Sequence, residues 1–166
     1  MKPGLQLSVQ YASTHDCPSR AQLRRWVRGA LTLQGATHAA LLLRFVDHEE
    51  GQVLNRDYRG KNYATNVLTF NYQDEAGDLV SADIILCAPV VEQEARAQGK
   101  TLHDHYAHLV MHGVLHACGH DHEQDEQASV MENLEREVLR RFRIADPYRD
   151  DQVDDDDSGH VSDQTG

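Results

Sequence analysis

Residues 101–118 are apolar nearly all round, through Leu102, Tyr106, Leu109, Val110, Met111, Val114 and Leu115, yet His105, His108, His112 and His116 share one helical face. A helix that is hydrophobic on so many sides has to lie at the centre of a domain, wrapped by other elements. Thr101 with Asp104 resembles a capping box that opens it. Residues four apart lie on the same face, so His112 and His116 can present ring nitrogens to one point. Gly119 can take the left-handed backbone that ends a helix. The turn it allows would swing His122 toward the same point. Three neutral imidazoles around one point suit a zinc ion that keeps its fourth position open.

Spacing alone does not select the ligand pair, because four histidines share the face and seven of the eleven in the chain fall within residues 103–122. A histidine on a helix face is more often a hydrogen-bonded core residue than a ligand. The third histidine beyond a glycine is what singles out His112, His116 and His122. The spacing matches the long zinc-peptidase signature H-E-x-x-H-x-x-G-x-x-H, except that Gly113 follows the first histidine. In those peptidases the glutamate at that position is the general base. Glycine cannot take a proton, so a peptidase of the standard mechanism is disfavoured. Metal-activated water remains available, since zinc lowers the pKa of its water to about 7.

The segment HGVLHACGHDH, residues 112–122, resembles the H-G-x-L-H-L-x-G-Y-D-H signature of the YbeY family of bacterial endoribonucleases. Two further blocks carry the resemblance. Leu54-Asn55-Arg56-Asp57-Tyr58-Arg59-Gly60-Lys61 through Thr65-Asn66-Val67-Leu68-Thr69-Phe70 is similar to L-N-x-x-Y-R-G-K-D-x-P-T-D-V-L-S-F. Ala82-Asp83-Ile84-Ile85 is similar to the family's G-D-I strand. The three blocks run in the family's order across residues 54–122. Departures are His120 for tyrosine, Ala117 for leucine, Asn62 and Asn66 for aspartates, Ala64 for proline and Ala82 for glycine. None removes a ligand or the arginine. His120 adds a titratable nitrogen beside the metal, but filling the space of an aromatic ring is the favoured reading of it.

The resemblance implies a single-strand-specific, zinc-dependent endoribonuclease of rRNA maturation, acting in 16S rRNA 3′-end processing and ribosome quality control. Its partners would be single-stranded RNA or rRNA, the small ribosomal subunit and assembly factors. It implies one Zn²⁺ per chain on His112, His116 and His122, another divalent transition metal being the substitute. Arg59 stands where the family carries its active-site arginine, so Arg59, His112 and His116 are the catalytic set. Phosphodiester cleavage builds charge on nonbridging oxygens, and a guanidinium offers them a planar, permanently charged fork. Arg56, Lys61 and the arginines at 24, 25 and 28 are weaker, ordinarily solvated candidates. Thr65 and Asn66 cap the following strand or position substrate, and Asp121 orients a ligand histidine or stabilises the turn after Gly119. Two other classes stay open: a zinc metallopeptidase-like hydrolase, and a non-catalytic ribosome-assembly factor whose structural zinc is completed by His120 or Cys118.

A chain of 166 residues suits one domain with a single core. It holds no run long enough to span a membrane, and its first residues open no signal-peptide core. Cys17, Cys87 and Cys118 form no paired motif, and Cys118 is expected to pack as a small hydrophobe. A reducing cytoplasm fits. The net charge of −11 is unusual for an RNA enzyme until it is divided. Residues 146–166 hold eight acids against one arginine, which leaves −4 for the other 145 residues. That acidic tail has too little apolar content to fold and is expected to be disordered, setting the boundary of the enzymatic domain at 1–145.

Along the folded part, Leu5, Leu7, Val9 and Tyr11 repeat at period two, the mark of a half-buried strand. Leu23, Trp26, Val27, Ala30 and Leu31 repeat at helical spacing. Residues 40–46, 67–72 and 83–87 read as strands. Residues 49–57 read as a short helix, 89–98 as a helix closed by Gly99, and about 125–143 as a last helix with Met131, Leu134, Val138 and Phe142 inward. The expected class is α+β: a mixed four-stranded sheet packed with about five helices around the histidine helix.

Overall fold

The computed structural model describes residues 4–72, 79–119, 125–144 and 146–148. Within them the elements run β1 (Gly4–Tyr11), α1 (Arg20–Gln34), β2 (His38–Val46), α2 (His48–Arg59), β3 (Val67–Tyr72), β4 (Leu79–Cys87), α3 (Ala88–Gln98), α4 (Leu102–Ala117) and α5 (Asp125–Arg141). The α+β class, the mixed sheet and the five helices are as expected. β4 starts four residues before its apolar run, because pairing with β2 continues down to Leu79 opposite His38.

The sheet order is β1-β2-β4-β3. β1, β2 and β4 are parallel, and β3 runs antiparallel along the outer side of β4. Alternation along β4 assigns its two faces. Ala82, Ile84 and Leu86 join Leu41, Leu43 and Phe45 in the main core beneath α1 and α4, whereas Ile85 and Cys87 join Val46 and Leu68 in a smaller cluster with Leu54 of α2. Covered on both faces at this end, β4 reads in sequence as an unbroken apolar run. Among the described residues β3 has no strand beyond it and is an edge.

α4 touches α1, α3, α5, β3 and β4, which makes it the hub the sequence called for. Thr101 caps it, its Oγ1 accepting from the Asp104 amide at 3.1 Å. The helix lies directly on the sheet at Gly113: a Cβ there would sit 2.9 Å from Ile84 Cγ2 and 3.5 Å from Thr69 Oγ1. Gly113→Ala should therefore lower stability by about 1–3 kcal/mol through overpacking. The urea midpoint should fall with the slope unchanged.

α5 departs from expectation at one position. Met131, Val138 and Leu139 are buried, but Leu134 is only half-buried and Glu135 takes the inward place at 1% exposure. The chain after α5 is also held further than anticipated. Asp146 accepts from Arg136 Nε at 3.0 Å, and the same guanidinium lies 5.1 Å from the centre of the Tyr148 ring. Packing thus extends past the expected boundary at 145 as far as Tyr148, while the rest of the acidic tail, 149–166, is outside the described residues. Among the described residues no helix is long and apolar enough to cross a membrane.

Candidate active site

The four histidines of α4 form a ladder, with successive ring centroids 6.3, 6.3 and 6.1 Å apart. Their surroundings separate them. His105 is buried, and its Nε2 meets Glu94 of α3 at 2.9 Å. His108 Nε2 meets Glu135 Oε1 at 2.8 Å, and His112 Nδ1 meets Glu135 Oε2 at 2.6 Å. The Tyr148 hydroxyl donates to Glu135 Oε1 at 2.6 Å. An ionised carboxylate only accepts, so His108 carries its hydrogen on Nε2 and His112 on Nδ1. The basic nitrogen of a neutral His112 is then Nε2, which is the one that can ligate a metal in this tautomer.

Burial alone would raise the Glu135 carboxyl, but the bonds from His108 and His112 outweigh it and hold this group well below the usual carboxylate range. Burial dominates at His108 and pushes its imidazole down despite the carboxylate. Burial, with Glu135 beside it, pushes the Tyr148 phenol up, so its proton stays on the donating oxygen. Tyr148→Phe removes one hydrogen bond to a charged group. It should cost about 1.5–3 kcal/mol, read as a lowered midpoint of chemical unfolding.

His112 and His116 line a cavity of about 640 Å³ together with Tyr58, Arg59, Thr65, Asn66 and residues 67–70 of β3. The cavity runs along the edge strand, so groups from both sides of the sheet meet in it. Thr69 lies on the α4 side, near Gly113, and Phe70 on the α2 side, near Tyr58. His105, His108, Arg56, Lys61 and the arginines of α1 are not among its lining residues. Gly119 has φ 104°, and its amide donates to the His116 carbonyl at 3.0 Å, so the expected turn begins where it should. His120, Asp121 and His122 lie outside the described residues. Among the described residues no group of three metal-ligating side chains forms.

Arg59 is the last residue of α2, which stops because Gly60 takes the left-handed conformation at φ 71°. It is exposed, whereas Arg56 is drawn to Asp57 at 3.3 Å. The loop beyond is fastened by Asn55, 1% exposed, whose Nδ2 donates to the Tyr63 carbonyl at 2.7 Å. Asn66 caps β3 as expected, its Oδ1 accepting from the Val67 amide at 2.6 Å. Its Nδ2 also donates to Glu94 at 3.0 Å. Burial would raise Glu94, but bonds from His105 and Asn66 outweigh it and lower its pKa. Cys118 packs half-buried against the main core, and burial pushes its thiol up to about 11, far from a thiolate.

Glu135, Tyr148 and Glu94 were missed by sequence reasoning. Glu135 had a readable signal: it falls four residues after Met131 and three before Val138, a charge on an otherwise apolar stripe. Tyr148 and Glu94 carried none.

Two imidazoles and a guanidinium facing one polar cleft make a centre built for an anionic substrate. The sequence profile described as Endoribonuclease YbeY matches residues 9–143. Proteins named Endoribonuclease YbeY are similar over most of the chain. One from Cupriavidus pinatubonensis is 54% identical over 153 residues, covering 90% of this chain and 74% of its own. One from Thiobacillus denitrificans is 52% identical over 149 residues, covering 89% and 99%. The solution structure of TM1509 from Thermotoga maritima shares the fold at a TM-score of 0.55 and 24% identity, over 86% of this chain and 99% of that one. The chain belongs to the YbeY endoribonuclease family. It is accordingly an endoribonuclease, a hydrolase of RNA phosphodiester bonds.

Proposed function

We propose that the protein cleaves single-stranded RNA in rRNA maturation, with a divalent metal held by His112, His116 and His122. The observation that carries this reading is the meeting of Arg59 with His112 and His116 in one cavity. The donor set suits a metal: Glu135 fixes the His112 tautomer with Nε2 basic, and imidazole nitrogens suit zinc, another divalent transition metal being the substitute. When bound, the ion supplies Lewis acidity to the phosphodiester. Arg59 holds the phosphate and stabilises the charge that grows on its nonbridging oxygens, Glu135 keeps His112 oriented, and Asn55 holds the loop that carries the cleft's polar rim. The setting implied by the family resemblance is 16S rRNA 3′-end processing at the small ribosomal subunit, in the cytoplasm.

The packing of Gly113 on Ile84 counts against a peptidase, because a glutamate beside His112 would have to displace the Ile84 side chain. Cys118 packs half-buried against the main core and does not line the cavity with His112 and His116, which counts against its completing a closed structural zinc site. The test is cleavage of matched single- and double-stranded RNA by protein whose metal content has been measured. Cleavage confined to the single strand and abolished by chelation is expected. Equal cleavage of both, or none of either, would sink the reading.

A further inference from the structure

Tyr58 exposes 67% of its surface although it belongs to the helix end that delivers Arg59. A ring so exposed contributes little to the core. It is nonetheless braced: Phe70 of β3 lies 4.8 Å away between centroids, at 60°. Both rings line the cavity that holds Arg59, His112 and His116. An open aromatic face next to a guanidinium matches the two parts of a nucleotide, since bases stack on rings and phosphates pair with arginine. We propose that Tyr58, braced by Phe70, is a stacking platform for one unpaired nucleobase next to the phosphate held by Arg59. This rests on the cleft's being the RNA site. It gives the preference for single strands a physical cause. Within a duplex both faces of a base are covered by its neighbours, and it reaches Tyr58 only by leaving the stack.

The experiment uses the metal-loaded full chain and a short single-stranded RNA carrying 2-aminopurine. Wild type is compared with Tyr58→Leu, Tyr58→Phe and Tyr58→Trp under single-turnover conditions. Binding should quench the fluorophore in wild type, Phe and Trp variants but not in the Leu variant. The half-saturating enzyme concentration should rise about 5- to 140-fold for Tyr58→Leu, the equivalent of ~1–3 kcal/mol for one stacked base, while the rate at saturation changes little. An RNA abasic at the stacked position should erase the difference between Leu and wild type. If Leu quenches and saturates like wild type while both cleave RNA, the platform is overturned and the function stands. If wild type neither cleaves nor binds RNA, both fall.

Discussion

Arg59→Ala should keep its metal and its thermal midpoint yet lose about 10²–10³ in the single-turnover rate on single-stranded RNA, the usual loss when one transition-state donor is removed. Retained stability follows from position: the side chain is exposed at the end of α2, and the loop after it is fastened by Asn55 and Gly60 instead. Arg59→Lys should recover only part of the rate, because a point charge cannot engage two phosphate oxygens with a planar fork. The loss should lie in the rate at saturation, which separates this residue from Tyr58. Equal rates for Ala and wild type would reduce Arg59 to a bystander at the rim.

The second large effect is on metal binding. His112→Ala and His116→Ala should each purify with little divalent metal by elemental analysis, whereas His105→Ala should keep a full complement. All three sit on one face of α4, but His105 is bonded to Glu94 and does not line the cavity. Glu135→Gln should fall between them, weakening affinity about 10–100-fold in a chelator competition, as the loss of a partner that orients a ligand does. Its direct signature is the nitrogen chemical shifts of the His112 ring in metal-free protein, which should report a mixture of tautomers in place of one. Unchanged metal in both His112→Ala and His116→Ala would remove the metal centre from the cleft.

Much of this was legible in the chain. The histidine helix announced both its burial and its cap, since an apolar surface on all sides and Thr101 at the start are local signals. The ladder's common face followed from helical spacing. The glycine and third histidine singled out His112 and His116 on that face, but the carboxylates that engage the ladder were not legible, because Glu94 and Glu135 come from other helices and pair at sequence separations of 11 to 27 residues. Strand order was equally hidden. Period-two patterning says that 67–72 is a strand, but not that it passes β2 to form the outer edge of β4, where Arg59 and the histidines can meet from opposite sides. The contacts of Tyr148 beyond residue 145 were hidden for a similar reason: composition marks the acidic run as poor in apolar residues, while Tyr148 is held by its phenol on the buried Glu135 and by the Arg136 guanidinium beside its ring.

That clasp has a consequence for the order of assembly. The chain is made from its first residue onward, and α4 with both cavity histidines is complete well before residue 148 exists. Glu135 can gather His108 and His112 early, but its third donor arrives only with Tyr148, thirteen residues further along the chain. A nascent chain therefore carries an endoribonuclease cleft whose orienting carboxylate is still short of a partner, and His112 gains its final support as one of the last contacts of the described fold.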